Sequence, residues 1–337
     1  METWRQYNLK KHNYSDIIQT KCENGSIEDM DSKVQRIGGV TLVYDDYMGQ
    51  DLYVDGSEEK LLNIVQKHSQ EEYEKVIEEE CSWPILYHLS HMRSNVIEWL
   101  PFNSSQKVLE IGSGCGAITG TLAEKVRRVD CIELSRQRSL INAYRNKEKD
   151  NISIRVGNFQ DIEKKLEEKY DYITLVGVLE YADSYIQGEK PYHTFLNMIK
   201  NHLALDGKVV IAIENKFGLK YWAGCKEDHL GRYYVGLEGY HGTNSVCTFS
   251  RDELVHMAHE CGFNEVDVYY PYPDYKFTQV VYSDEYLPKL GELNINYRNF
   301  DGERIVNFDE SKVFDEIIKD GKFPFFSNSF LIVLGDK

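Results

Sequence analysis

The stretch that decides the fold is Val108-Leu109-Glu110-Ile111-Gly112-Ser113-Gly114-Cys115-Gly116-Ala117-Ile118-Thr119. An apolar strand runs into an acidic residue and three glycines at alternate positions, and a helical run follows at 122–126. Because glycine has no side chain and tolerates positive φ, such a loop lets backbone approach a bound ligand closely. A dinucleotide fingerprint spaces its glycines differently, as Gly-x-Gly-x-x-Gly. The stretch therefore predicts a strand, a ligand-binding loop and a helix, and the glycine spacing of the loop differs from that of the dinucleotide-binding proteins.

Beyond this stretch, strand-like apolar runs alternate with helical patterns. The candidate strands are 107–111, 129–133, 152–156, 171–176, 208–213, 265–270 and 329–334, and the candidate helices are 117–126, 136–147, 192–203 and 250–261. Such alternation is typical of an α/β fold whose sheet is covered by helices. We expect a Rossmann-like, seven-stranded, mostly parallel sheet with helices on both faces. Residues 83–100 have helical periodicity as well, and Pro101 ends it.

The remaining segments suggest additions to this core. Residues 1–82 carry no catalytic motif and are expected to form an N-terminal extension or lid, and 83–337 to form the main domain. Two long connections interrupt the alternation, at 214–248 and 271–328, and both are rich in tyrosine. Long connections in a compact domain are usually lids or binding loops. Both inserts are therefore expected near the ligand.

Composition narrows the function. The 337 residues have a formal net charge of −16, which disfavours a nucleic-acid partner, since phosphate backbones require basic surfaces. The seven cysteines lack the spacing of a zinc site and fit free thiols in a reducing compartment. Neither an N-terminal signal core nor a run of eighteen apolar residues is visible. We expect a cytoplasmic protein without membrane insertion and without a metal.

Five features stand in the order and spacing of the class I S-adenosylmethionine (SAM) dependent methyltransferases. They are 110–116, Glu133, 157–161, 170–181 and 205–213. The chain resembles that family over about residues 105–270. The resemblance implies SAM as the cofactor. A nicotinamide dehydrogenase is the competing interpretation, and both the glycine spacing and the fourth-strand motif disfavour it.

The resemblance also implies cofactor contacts. Glu110 would receive the ammonium of the methionine part, Arg93 would meet its carboxylate, and Glu133 suits bidentate hydrogen bonding to two ribose hydroxyls. Asn158 or Asp161 would meet the adenine amino group. The full candidate set is Arg93, Glu110, Gly112, Ser113, Gly114, Gly116, Glu133, Leu134, Asn158, Phe159, Asp161 and Gly177.

The acceptor side needs a group that removes a proton when a hydroxyl is methylated. His229 follows two carboxylates in the first insert, and a histidine oriented by a carboxylate is a credible general base. His241, Glu180 and Glu214 are the alternatives. The candidate substrate-binding residues are Tyr181, Asn215, Tyr221 and Tyr240.

The acceptor class follows from the aromatic and polar inserts, because aromatic faces pack on sugars while carboxylates and amides bind hydroxyls. We expect methyl transfer to a hydroxyl or amine of a sugar, nucleotide sugar or similar small molecule. The inserts resemble a bacterial subgroup associated with cell-surface glycan biosynthesis. A peptide or natural-product methyltransferase, an inactive SAM-binding partner module and a homodimer all stay open.

Overall fold

Ten strands form one sheet in the part of the chain that the computed structural model describes, residues 33–51, 53–243, 246–296 and 304–336. Residues 1–32 of the predicted N-terminal extension lie outside it, as do 244–245 and 297–303 of the predicted inserts. The strands are β1 Val34–Ile37, β2 Val40–Val43, β3 Lys107–Ile111, β4 Arg128–Glu133, β5 Ile152–Val156, β6 Tyr170–Val176, β7 Leu203–Glu214, β8 Glu265–Tyr272, β9 Val280–Ser283 and β10 Ser329–Gly335.

Helices lie on both sides of this sheet. In the described residues they are α1 Glu58–Lys67, α2 Tyr73–Glu80, α3 Trp83–Leu89, α4 Asn95–Glu98, α5 Thr119–Lys125, α6 Arg136–Arg145, α7 Phe159–Ile162, α8 Ala182–Tyr185, α9 Pro191–Lys200, α10 Leu219–Trp222, α11 Arg251–Glu260, α12 Glu310–Lys319 and α13 Phe323–Phe326. Short 3₁₀ turns occur at Gln70–Glu72, His91–Ser94, Glu163–Lys165 and Leu179–Tyr181. None of the helices described is both long and apolar enough to cross a membrane.

The strand order is β1-β2-β5-β4-β3-β6-β7-β10-β8-β9. The seven strands expected from the sequence are all present and occupy the middle of the sheet, so the Rossmann-like core is confirmed. The prediction of seven strands is wrong, because the sheet has ten. The prediction of a mostly parallel sheet also needs correction: of the pairs described, five are parallel and four are antiparallel.

The additional strands extend the sheet at its two ends. The β1–β2 hairpin pairs with β5 through Leu42 and Ile154, and β9 pairs with the far side of β8. Each of the three added strands is four residues long and lies at or next to an edge, and only β2 falls in a β-like run of the sequence, Val40-Thr41-Leu42-Val43-Tyr44. A segment this short carries too little alternation to be separated from a loop by its pattern alone.

The last strand of the chain fills the gap between β7 and β8. β10 is antiparallel to both neighbours, with Ile332 opposite Ile211 on β7 and Val268 on β8. Phe330, Leu331, Ile332 and Leu334 are all buried. A strand buried on both faces has a continuous apolar sequence, which is why it was recognisable.

The helical segment before β3 is broken into three pieces. α3 ends at Leu89, and the Ser90 hydroxyl accepts a hydrogen bond from the Met92 N–H and so starts a new turn that leads into α4. The predicted start of α11 is confirmed by a reciprocal capping box between Ser250 and Glu253. Gly262, two residues after the last helical residue, has φ +79°.

Residues from Val34 onward form one compact unit. In a parallel sheet of this type, ligands bind beyond the carboxyl ends of the strands. Here β4, β3, β6 and β7 are four consecutive strands of the sheet, and they end at or close to Glu133, Glu110, Val176 and Glu214. The fold therefore brings four separated sequence segments to one edge.

Candidate active site

A cavity of about 430 Å³ lies at this edge. Its walls come from the β3–α5 loop, the tips of β4, β5 and β6, the 3₁₀ turn Leu179–Tyr181, and both inserts. Of the cofactor residues expected from the sequence, ten line the cavity: Arg93, Glu110, Gly112, Ser113, Gly114, Glu133, Leu134, Asn158, Phe159 and Gly177. The structure leaves Gly116 and Asp161 outside the lining.

The glycine loop is held in a conformation that other residues rarely adopt. Gly112, Gly114 and Gly116 have φ of +70°, +52° and +76°. A Cβ on Gly112 would lie 2.5 Å from Val178 Cγ2, and a Cβ on Gly116 would lie 2.4 Å from Asn142 Oδ1 on α6. The absence of a side chain at Gly116 thus allows the loop to pack closely against α6. A Cβ on Gly114, by contrast, would meet nothing within 4 Å.

Glu133 is buried at the tip of β4 and is fixed by two backbone donors. The N–H of Gly114 donates to its Oε2 (2.8 Å), and the N–H of Ser135 donates to its Oε1 (2.9 Å). Burial raises the pKa of Glu133, although these N–H groups and Arg138 favour the carboxylate. Its second lone pairs remain available to the cavity, as a diol-binding carboxylate requires.

Glu110 ends in the same cavity, one strand away. Its Oε2 accepts a hydrogen bond from the Thr119 hydroxyl (2.6 Å), and the Cys131 thiol lies 3.5 Å from the same oxygen. Burial raises the pKa of Glu110 to about 7, because a carboxylate is poorly solvated there. A cationic ligand group beside it would favour the ionised form.

The pH dependence of ligand binding tests this role of Glu110. Below its pKa of about 7 the folded protein carries a neutral Glu110, and an ammonium group must then displace the proton. We expect S-adenosylhomocysteine (SAH) to bind about tenfold more tightly at pH 8 than at pH 6. Glu110→Gln should remove this slope in calorimetric titrations. An unchanged slope in the variant would assign the linked proton to another group.

Arg93 reaches the cavity although it belongs to the 3₁₀ turn before α4. Its side chain is buried, with Nη1 donating to the Lys276 carbonyl and Nη2 to the Tyr87 hydroxyl, and its guanidinium stacks 4.2 Å from the centre of the Tyr87 ring. Its Nε has no hydrogen-bond partner in the described part of the chain. The buried hydroxyl of Ser113 is unpartnered there as well. Two donors are thus available to a ligand.

The opposite end of the cavity is apolar. Phe159 lines it and meets Phe195 edge-on at 5.3 Å between ring centres. Asn158 lines it too, but its amide is occupied: Oδ1 accepts from the Gln160 N–H, and Nδ2 donates to the Tyr185 carbonyl. Asp161, the other candidate for the adenine amino group, is exposed. A flat ring fits against Phe159, and Asn158 forms part of the wall at the same end of the cavity.

The candidate catalytic residues Glu180, Glu214 and His229 lie close together; Glu180 and His229 line the cavity, whereas Glu214 is fully buried and does not line it. His229 Nε2 lies 3.4 Å from Glu180 Oε1 and 3.8 Å from Glu214 Oε2. On the other side of the ring, Nδ1 is 2.8 Å from Glu227 Oε1. Glu227 is held in turn by the N–H groups of His229 and Leu230. The expectation that a preceding carboxylate orients His229 agrees with this geometry.

Charges in this cluster are strongly coupled. Burial works against the imidazolium, but Glu214, Glu180 and Glu227 outweigh it and hold the pKa of His229 well above its usual range. Burial raises the pKa of Glu180. For Glu214, Lys276 and His229 outweigh burial and lower the pKa. A histidine among carboxylates is therefore charged at neutral pH unless another cation replaces its proton.

Two lysines complete the network. Lys276 Nζ lies 2.6 Å from Glu214 Oε1 and 2.5 Å from Asp228 Oδ1, while Lys220 Nζ lies 2.8 Å from Asp228 Oδ2. Sequence analysis missed both lysines. Their segments were recognised as inserts, but a lysine in a polar loop is normally solvated. Only the fold shows that these two are buried.

Several expected site residues lie elsewhere. His241 is exposed and does not line the cavity. Asn215 donates to the carbonyls of Phe325 and Ser327, so its amide holds the second insert. Tyr221 and Tyr240 are buried behind the cavity, where their hydroxyls donate to Asp228 and Glu227. Tyr181, by contrast, lines the cavity.

The segment before α1 supplies a wall that the sequence did not reveal. Tyr53 and Asp55 line the cavity, and the Tyr53 hydroxyl lies 3.2 Å from that of Tyr181. Asp55 pairs with Arg138 (2.7 Å), which also contacts Glu58 (3.0 Å). An aromatic and an acidic residue in a polar loop give no pattern that marks a site.

The cavity fits an amino-acid nucleoside. Arg93 and Glu110 offer opposite charges for a zwitterion, Glu133 suits a diol, and Phe159 provides an apolar face for a base. The buried, unpartnered donors of Arg93 and Ser113 fit a polar ligand in this cavity. Fold and cavity together define a class of protein, the Rossmann-like SAM-dependent methyltransferases.

Comparison with known proteins gives the family. The sequence pattern of a methyltransferase domain family matches residues 87–268. An uncharacterized methyltransferase of Staphylococcus carnosus (strain TM300) is 30% identical over 156 residues, which make up 46% of this chain and 67% of that protein. The chain belongs to this methyltransferase family. It is a SAM-dependent methyltransferase, and S-adenosyl-L-methionine is its cofactor.

Solved structures with a similar chain trace are distant. A SAM-dependent methyltransferase from Archaeoglobus fulgidus is 12% identical with a TM-score of 0.45, and the match covers 74% of this chain and 96% of that one. The N-methyltransferase NodS from Bradyrhizobium japonicum WM9, in complex with SAH, is 14% identical with a TM-score of 0.40, covering 83% and 96%.

Proposed function

We propose that this enzyme methylates a hydroxyl or amine of a sugar-like or similarly polar small molecule. The observation that carries the proposal is the character of the cavity beyond the cofactor residues. Glu180, Lys220, Asp228, His229 and Lys276 all line it, and all are largely buried. Polar groups inside a closed site recognise a polar ligand, since they must be hydrogen-bonded to be stable.

SAM, when bound, supplies the methyl group, which departs from a positively charged sulfur atom. The chain must align the acceptor and take up the proton that a hydroxyl loses. We place Glu180 there as the proton acceptor, with Glu214 and the charged His229 beside it. Glu180 lies next to Tyr181, whose ring meets His229 edge-on at 5.4 Å. Tyr53 and Tyr181 line the same cavity with their hydroxyls 3.2 Å apart, and so offer aromatic faces and polar groups to a small acceptor.

Transfer of a labelled methyl group tests the acceptor class. We would incubate the purified enzyme with SAM labelled on its methyl group and an extract of its source cells, separated afterwards by size. Label in sugar-containing material of low mass is the expected result. Protease-sensitive, high-mass label would reject the proposal and favour the peptide alternative. Absence of label, with SAH still bound, would favour a binding module.

A further inference from the structure

Glu180, Glu214 and His229, hereafter the trio, have the spacing of a metal site. One ligand atom from each can be chosen so that all three lie within 4.8 Å of one another. The His229 Nε2 distances of 3.4 Å and 3.8 Å are close to the separation of two ligands on one divalent ion. The three residues come from the turn after β6, the end of β7 and the first insert.

Two oxygens of the trio lack a hydrogen-bond partner within the described residues. They are Glu180 Oε2 and Glu214 Oε2, and both side chains are at least 99% buried. Lys276 and the Tyr275 hydroxyl contact Glu214 through its other oxygen, Oε1, so Oε2 is left facing the imidazole. Buried carboxylate oxygens without donors are rare and indicate a missing ligand.

The orientation of His229 fits a metal ligand. Glu227 accepts the Nδ1 proton at 2.8 Å, and backbone N–H groups hold Glu227 in place. A histidine that binds a metal usually donates its other ring N–H to a carboxylate in this way, which fixes the tautomer. Nε2, 3.4 Å from Glu180 Oε1 and 3.8 Å from Glu214 Oε2, is then the ring nitrogen left to bind a cation once its proton is displaced.

The charged side chains around the trio carry a net negative charge, which a bound divalent cation would offset. Ion pairs connect the carboxylates Glu180, Glu214, Glu227 and Asp228 with the ammonium groups of Lys220 and Lys276 through His229. With the charged His229, four negative and three positive charges leave −1, and exchange of its Nε2 proton for a divalent cation brings the sum to zero. Buried charge of this size must be neutralised.

We propose that the trio binds one divalent transition-metal cation, through Glu180, Glu214 and His229 Nε2. One nitrogen and two carboxylates suit Mn²⁺ or Zn²⁺ better than an oxygen-only ion such as Ca²⁺. On binding, the cation takes the place of the Nε2 proton, which passes to solvent. Because Glu180 and His229 line the cavity, the cation would be accessible to an acceptor oxygen bound there and would make the loss of its proton easier. That catalytic use rests on the proposed function, whereas cation binding does not.

Binding of Mn²⁺ alone tests the site. After dialysis against a chelator, the protein is titrated with MnCl₂ by calorimetry, and free Mn²⁺ is followed by electron paramagnetic resonance. We expect one ion per chain. Glu180→Gln, Glu214→Gln and His229→Gln should each weaken binding at least about tenfold, and Glu227→Gln about tenfold through the lost orientation of His229. Zn²⁺ should compete for the same site.

The control is Glu163→Gln, which removes a carboxylate from another Glu–His pair, 3.2 Å from His202 and away from the cavity. It should leave Mn²⁺ binding unchanged. SAH titration of each variant shows whether it is folded. Protein that binds SAH but takes up no Mn²⁺ at millimolar concentration overturns the proposal, as would binding that the trio variants leave intact. Mn²⁺ binding without methyl transfer to a small acceptor would reject only the proposed function.

Discussion

Replacing Glu133 by alanine is expected to weaken SAH binding by roughly 100-fold or more. A buried carboxylate that accepts hydrogen bonds from two hydroxyls makes two charge-assisted hydrogen bonds, together worth about 3 kcal/mol. That energy corresponds to roughly a 100-fold change in Kd. The variant also loses the acceptor for the N–H groups of Gly114 and Ser135, so the glycine loop is less well fixed. Calorimetric titration with SAH measures the effect directly.

The matched control for this measurement is Asp161→Asn. It removes a carboxylate near the tip of the next strand, but the side chain is exposed and outside the cavity lining. We expect its SAH affinity to stay within about threefold of the unsubstituted protein, since surface changes rarely alter a distant site. A Glu133→Ala protein that melts like the parent and binds SAH equally well would remove Glu133 from the cofactor site.

Glu180→Gln is expected to lower kcat at least 100-fold while SAH affinity changes little. The amide keeps the size of the side chain but can neither take up a proton nor bind a cation as a carboxylate does. Groups that assist proton transfer typically contribute about 10²–10⁴-fold to the rate. The readout is the initial rate of labelled methyl transfer to the acceptor fraction, with SAH titrated separately.

Glu163→Gln again provides the comparison, because it alters a Glu–His contact of similar length outside the cavity. Its kcat should be unchanged. A Glu180→Gln enzyme with full kcat would place the proton acceptor elsewhere. If the substitution instead abolished SAH binding, Glu180 would have to be regarded as part of the cofactor site or of the fold.

The core of the fold could be predicted because its signals are local. A few consecutive residues are enough to recognise strand β3, the glycine loop and the acidic tip of β4. The alternation of strands and helices then predicts that the centre of the sheet is largely parallel. β1 and β9 could not be predicted, because four residues are too few for a periodic pattern, whereas β2 falls in the β-like run Val40-Thr41-Leu42-Val43-Tyr44. Their pairing depends on an edge that only the folded sheet offers.

The acceptor side was predicted only in part. Glu180 and Glu214 were recognisable since each ends or follows a strand at the ligand-binding edge, and His229 since carboxylates precede it. His241 has a similar neighbourhood in sequence but lies at the surface. Lys276 lies 62 residues after Glu214 in the sequence, yet their side chains are in contact. A contact between two segments that are distant in the sequence produces no recognisable sequence pattern in either segment.

The position of β10 has a consequence for biosynthesis. Until residue 335 has been synthesised, β10 cannot complete its pairing with β7 and β8. The backbone hydrogen-bonding groups on the side of β7 that β10 covers are unpaired until then. Such an edge readily captures strands from other chains. The nascent protein therefore completes its sheet only after nearly the whole sequence shown here has been translated. Expression at lower temperature or with a chaperone that shields strand edges should raise the yield of native enzyme.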